Sequence, residues 1–204
     1  MSKSEPLAEP INNFKELVRL GAIRWLHSLD LDPTSKTFGI ADRDYWSWKT
    51  KDFANGTWQG GLAGFLDAAH LLELNQLQIE KVVTACLAGT TAIQRSNGSF
   101  EEAYPYESSY AVTALVLFDL LYSYYRHEEA FSGKSVEQLK ECVASADKFI
   151  AATPETHGVI ANHLATGTLA RYLAARFQGA DICHKLMDEF LSLQDDDEGW
   201  FPEY

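Results

Sequence analysis

Two kinds of helical segment alternate along this chain, and that alternation narrows its possible folds more than any other feature. Phe14, Leu17, Val18, Gly21, Ala22, Trp25 and Leu29 keep helical spacing and predict a helix over 12–29 with one apolar stripe. Ile79, Val82, Val83, Cys86, Leu87 and Ile93 do the same for 78–94. Val136, Leu139, Val143, Ala146, Phe149 and Ile150 mark 135–151, and Ile182, Leu186, Phe190 and Leu193 mark 180–193. Between these lie 60–74, 108–125 and 161–177, which are apolar or small on nearly every side, although Arg171 and Arg176 interrupt the last. A helix that is apolar all round must be enclosed. The pattern predicts an all-α protein in two concentric layers, with one-sided outer helices wrapping inner ones. No segment alternates convincingly as a strand.

The connections alternate as well. Outer helices lead to inner ones through long aromatic and charged segments, 30–59, 95–107, 152–160 and 194–204. Inner helices return through the short links 75–78, 127–134 and 178–180. Short links make neighbouring helices antiparallel, so the long connections are expected at one end of the molecule, where a rigid scaffold would hold functional loops. Asn55-Gly56-Thr57-Trp58, Asn97-Gly98-Ser99-Phe100, His157-Gly158-Val159-Ile160 and Glu198-Gly199-Trp200-Phe201 each put a glycine before an apolar residue at such a junction. These glycines are 42, 60 and 41 positions apart, a period suited to one helical hairpin. Each is expected to supply the left-handed backbone that ends an outer helix.

Composition closes off several classes. The 204 residues suit one domain, 1–204, with a polar tail at 1–10 expected to be disordered. Seventeen basic against twenty-nine acidic residues leave a net charge of −12, which disfavours nucleic acid and anionic membranes as partners. Cys86, Cys142 and Cys183 are odd in number, lack metal spacing and fall in helical patterns, so a reducing, cytoplasmic location is expected. The N-terminus has no apolar signal core, and no run reaches the ~20 residues of a membrane span. Three to four hairpins fall short of a closed double ring, which takes roughly five to seven. The chain is therefore expected to be the N-terminal part of a larger ring, or to have its open helices covered by a protein partner.

The long connections hold the candidate chemistry. In Ala41 to Phe53, Arg43, Tyr45, Trp46, Trp48, Lys49 and Asp52 combine flat aromatic faces with charged groups, which suits a sugar ring. The alternative is rim packing with internally paired charges. The second connection offers Tyr104, Tyr106 and Glu107. The tyrosines are candidate acid–base groups, and Glu107 is more simply read, with Ser108, as a helix cap. The third holds His157 and the pair Asn162-His163. His163 is a candidate general base and Asn162 a donor to a developing anion; the plainer reading makes Asn162 an N-cap. The fourth carries Trp200 behind Asp195-Asp196-Asp197-Glu198, a run read as a solvated face rather than a metal site. No cofactor and no metal are expected.

Two families are resembled. Gln94-Arg95-Ser96-Asn97-Gly98-Ser99-Phe100 resembles the Gln-x-x-x-Gly-x-Trp/Phe repeat of terpene cyclases and prenyltransferases, while Gln194 precedes Gly199 and Trp200 one residue out of that register. Ala161-Asn162-His163-Leu164-Ala165 with Leu169-Ala170 resembles the Asn-His-Leu segment in the helical domain of heparinase II/III-like polysaccharide lyases. The latter resemblance implies an incomplete (α/α) toroid of antiparallel helical hairpins, here of about seven helices, usually followed by a β-sandwich. It also implies that Asn162 neutralises a substrate uronate while His163 or a nearby tyrosine takes the C5 proton; in this chain Tyr106 is the expected tyrosine and Arg43 a second partner for the carboxylate. The expected activity is that of a polysaccharide lyase or epimerase acting on a uronate glycan. The alternatives are a glycoside hydrolase using Asp44, Asp52 or Glu107, a non-catalytic half-toroid binding a glycan or protein, and a terpene cyclase-like protein.

Overall fold

A computed structural model describes residues 8–156, 161–182, 184–195 and 197–201. The described residues form eight α-helices: α1 (Ala8–Leu26), α2 (Arg43–Trp46), α3 (Leu62–Ala68), α4 (Gln76–Ile93), α5 (Tyr110–Arg126), α6 (Gly133–Ala152), α7 (Ala161–Gln178) and α8 (His184–Leu191). Short 3-10 turns cover Gly56–Gln59, Ala69–Leu72 and Glu128–Ala130. Among the described residues there is no strand; Phe100 and Ser109 form an isolated antiparallel bridge.

Helices α3, α5 and α7 run side by side in the same direction. Gly60 faces Leu115, the backbone N–H groups of Leu62 and Ala63 donate to Asp119, and Asp67 pairs with Arg126, so α3 and the turn before it climb parallel to α5. Tyr110 lies on Gly167, and Tyr124 meets Phe177 at 5.1 Å, which makes α7 parallel to α5. Helices α4 and α6 are likewise parallel to each other, with Thr84 beside Ser135 and Gln94 donating to the Cys142 carbonyl at 3.1 Å. Asp147 pairs with Arg171 at 2.9 Å, so α6 is antiparallel to α7.

The core is centred on α5, which buries Val112, Ala114, Val116, Leu117, Leu120 and Leu121. Leu62, Phe65, Val83, Leu87, Leu139 and Val143 close around it at no more than 1% exposure. Each such side chain contributes roughly 1.5–3 kcal/mol of burial. Gly167, Ala170 and Ala174 line the buried side of α7 and let that helix approach α5 closely.

Several local expectations are corrected. The first helix opens at Ala8, inside the stretch expected to be a tail, and ends at Leu26 rather than at 29. Pro10 is tolerated there because first-turn N–H groups have no helical acceptor. The predicted inner helix 60–74 is shorter: a break at Gly60-Gly61 delays its start to Leu62, it tightens to 3-10 over Ala69–Leu72, and Glu73 closes it in the left-handed conformation. Gly61 is needed at this break, since the Trp25 indole occupies the space of any Cβ. Helix α7 is not apolar all round, as only Ala161, Gly167, Ala170 and Ala174 are buried. The last helix is confined to 184–191. Helix α4 buries much more than one stripe, because the loop 30–41 folds back onto it and Gly39 lies directly on Ala85 and Gly89.

The first glycine of the repeat was misplaced. Gly56 opens a 3-10 turn and does not have positive φ, whereas Gly39 has φ +82, Gly98 +92 and Gly199 +75. Gly158 lies outside the described residues.

Candidate functional site

The first three long connections gather at one end of the helices through identifiable bonds. Trp25, near the end of α1, donates to the Trp58 carbonyl at 3.0 Å, and the Gly56 N–H donates to the Glu101 carbonyl at 2.8 Å. These bonds join the first connection to α1 and to the second connection. Gly98 then rests on Ser145 near the end of α6, and Glu155 beyond that helix reaches His163 at the start of α7. The candidate residues form separate clusters.

The first cluster surrounds Asp42. It caps α2 by accepting from the Asp44 and Tyr45 N–H groups, and it also accepts from Lys51 Nζ at 2.6 Å and the Asn55 N–H at 2.8 Å. Arg43 lies 5.5 Å from the Trp46 ring and 5.6 Å from the Trp48 ring, and it donates to the His27 carbonyl. The Trp46 indole N–H donates to the Ser28 carbonyl, so this residue packs the rim, while Trp48 is 64% exposed. Tyr45 is half-buried, Asp52 is exposed, and Lys49 is exposed with φ +57. Arg43 and Trp48 line a shallow groove of about 470 Å³ beside Ile23 and His27 of α1 and its end.

In the second cluster the acids are engaged by their own loop. Glu107 accepts from the backbone N–H groups of Glu102, Ala103 and Tyr104, at 2.7 Å in the shortest case. The helix cap expected of Glu107 and Ser108 is instead made by Ser109, whose Oγ accepts from the Val112 N–H. Glu101 is buried, pairs with Arg95 at 2.8 Å and accepts from the Glu107 N–H. Tyr106, at φ +67, stands 78% exposed with Arg95 4.6 Å from its ring centre, and Tyr104 is also exposed.

The third cluster contains His163. Its Nδ1 lies 2.8 Å from Glu155 Oε2, and the Glu155 side chain is only 2% exposed against 30% for His163. In the neutral tautomer whose Nδ1–H donates to that carboxylate, Nε2 is the nitrogen with a free lone pair. Beside this pair a cleft of about 510 Å³ is lined by Tyr110, Ile150, Glu155, Leu164, Thr168 and Arg171. Burial, and then the nearby Glu155 charge, push the Tyr110 phenol above its ordinary pKa. Asn162 lies inside α7 rather than at its N-cap; its carbonyl accepts from Thr166 and its side chain is exposed. His157 lies outside the described residues.

The fourth cluster is a turn. Asp195 accepts from the Asp197 and Glu198 N–H groups and donates its own N–H to the Trp200 carbonyl at 2.7 Å, leaving Trp200 72% exposed. Among the described residues, no grouping of His, Cys, Asp and Glu has the geometry to hold a metal ion.

The structure thus brings Arg43 to Trp46 and Trp48, Arg95 to Tyr106, and His163 to Glu155. Trp48 and Trp200 line separate grooves, and neither groove is lined by Tyr106 or His163. Sequence reasoning missed Glu155, Tyr110 and Arg171. Glu155 is eight residues before His163 in the same connection, and its acidity was the only signal available.

Comparison of the chain with protein-family models, curated proteins and solved structures returns no match. The functional reading therefore rests on the site itself. Among the described residues no helix is long and apolar enough to cross a membrane.

Proposed function

We propose that this chain is the helical module of a polysaccharide lyase or epimerase acting on uronate glycans, its hairpins forming an incomplete (α/α) toroid. The observation that carries the reading is the buried Glu155 carboxylate 2.8 Å from His163 Nδ1, which in the neutral imidazole leaves Nε2 as the candidate general base. In this reading Nε2 removes the C5 proton of a bound uronate. The C5–H electron pair then forms the C4–C5 double bond as the C4–O bond breaks. In an epimerase the proton returns to C5 from the opposite face.

The carboxylate of the substrate must be neutralised for this carbon acid to ionise. Arg171 gives one donor to Asp147 and retains other guanidinium N–H groups for that task, whereas Asn162, nine positions earlier, lies on the opposite face of α7. Tyr110 lines the same cleft, and its raised pKa keeps it protonated at neutral pH. It is therefore the tyrosine suited to protonating the departing oxygen, in place of Tyr106. A reducing, cytoplasmic setting fits Cys86 and Cys142, which are buried free thiols; burial pushes Cys86 upward and Cys142 up to about 12.

The test is incubation with a panel of uronate polymers, reading the ultraviolet absorbance of unsaturated sugar and solvent deuterium incorporation at C5. His163→Ala is expected to lower either signal by about 10²-fold or more, and Glu155→Gln by about 10-fold. Turnover unchanged in His163→Ala overturns the mechanism.

A specific observation favours a second reading, glycan binding without turnover. Trp48, Trp58, Tyr104, Tyr106 and Trp200 are between 47% and 78% exposed, and Arg43 and Arg95 lie against two of them. Calorimetric binding of a glycan that leaves it chemically unchanged would support this reading.

A further inference from the structure

One packing device occurs twice with a helix beneath it and once without. In the first instance, the Gln59 amide donates to the Gly39 carbonyl at 3.2 Å and to the Cys86 carbonyl of α4 at 3.3 Å. In the second, the Gln94 amide donates to the Gly98 carbonyl at 3.0 Å and to the Cys142 carbonyl of α6 at 3.1 Å. Both glycines have positive φ, and a Cβ on either would land on a helix backbone, that of Ala85 or of Ser145. The third instance is the turn at 194–199. Gln194 donates to the Gly199 carbonyl at 2.8 Å and Gly199 has φ +75, yet a Cβ there meets only Gln194 itself, at 3.5 Å. Among the described residues no helix lies under this turn.

The chain also carries a helix with the matching features and no cover. The helix under each occupied turn supplies a carbonyl and, three residues later, a small residue: Cys86 with Gly89, and Cys142 with Ser145. On α1 the same spacing separates Val18 from Gly21, which is exposed and has no atom within 4 Å of an added Cβ. Phe14 and Leu17 continue that helix at 67% and 66% exposure. At the other edge Leu191 and Trp200 are 50% and 72% exposed. Charge is complementary too. Helix α1 carries three basic residues against two acidic ones, whereas 181–198 carries seven acidic residues against one lysine.

We propose that a second copy of this chain covers the turn, with its α1 lying under Gly199 as α4 lies under Gly39 and α6 under Gly98. The contact joins the turn of one copy to α1 of the next, so it is head-to-tail and either closes into a ring or propagates. It buries apolar side chains on both faces and satisfies the second donor of Gln194 with the Val18 carbonyl. It is independent of the catalytic reading.

The test is molecular mass by light scattering and sedimentation, from micromolar to sub-millimolar chain and at low and high salt. The mass is expected to rise from 22.8 kDa to at least twice that, more readily at low salt. Gly21→Leu, whose Cβ has no atom within 4 Å, is expected to hold the mass at the single-chain value, as is Trp200→Glu at the other face. Phe14→Glu serves as a second α1 variant, and circular dichroism verifies that each is folded. Mixing Gly21→Leu with Trp200→Glu is expected to restore a two-chain species, because each retains the face the other lacks. A wild-type chain that stays at 22.8 kDa leaves the turn to another occupant and overturns the proposal. So does association that survives the α1 variants, or a mixture that remains single-chain.

Discussion

Gly39 and Gly179 both have positive φ, yet their surroundings set very different costs for a side chain. At Gly39, φ is +82 and a Cβ would collide with the Ala85 backbone of α4, so the loop 30–41 would have to lift off the helix. At Gly179, φ is +66 and nothing lies within 4 Å of that position. Gly39→Ala is therefore expected to cost at least about 3 kcal/mol, strain and displaced packing together, and Gly179→Ala only about 1 kcal/mol. Urea unfolding of the two variants measures the difference. The glycine-plus-apolar motif was visible in the sequence at 98 and 199. Its first copy was assigned to Gly56 because an Asn-Gly pair precedes Trp58, whereas the residue in the left-handed conformation follows Phe38. Nothing local distinguishes the two, because the constraint on Gly39 comes from a helix some fifty residues downstream.

Helix α3 shows what an element lacks when its own sequence does not cap it. Gly61 precedes it and has no side chain to accept from the first-turn N–H groups. Asp119, on α5, accepts from the Leu62 and Ala63 N–H groups at 3.0 and 3.2 Å, serving as the missing cap across the core. Burial pushes this carboxyl up to about 7, against the opposing pull of those two N–H groups. Because its pKa is raised on folding, the folded state holds a proton that the unfolded chain has released between about pH 4 and pH 7. The contribution of Asp119 to stability is thus full below the ordinary carboxylate pKa and is lost as pH rises through 7. Between pH 5 and pH 8 the wild type is expected to lose roughly 2 kcal/mol from this source, and Asp119→Asn to lack that component. Parallel melting curves of the two proteins across this pH range give the answer. A cap supplied from another helix is invisible to sequence reading, which looks for Ser, Thr, Asp or Asn immediately before a helix. Even a local cap can be read one residue out of place, as at α5, where Ser109 rather than Glu107 and Ser108 accepts from the Val112 N–H.

At the scale of the molecule, stability is expected to grade outward from α5. This helix packs against α3, α6 and α7 and buries residues on every side, whereas residues 11–17 of α1 are exposed all round. Hydrogen exchange should therefore find α5 amides protected to nearly the global unfolding free energy and those of 11–20 exchanging first in dilute solution. Protection that spreads to α1 with rising concentration would follow from the head-to-tail contact. Much of the architecture could be read beforehand, because burial imposes a period on side chains. Apolar spacing of three to four residues marks a helix, but its angular width misjudged how much of α4 and α7 is covered. The all-α class and the chain order of seven of the eight helices follow from that rule, while the four-residue α2 and the shortness of α3 and α8 do not. Which side chains meet where the connections gather was decided only by the tertiary structure. Glu155 on His163, Gln59 beneath Gly39 and Asp119 above α3 are contacts between segments that spacing does not relate. The sequence records what each residue must hide, whereas its partner depends on how the helices are arranged in space.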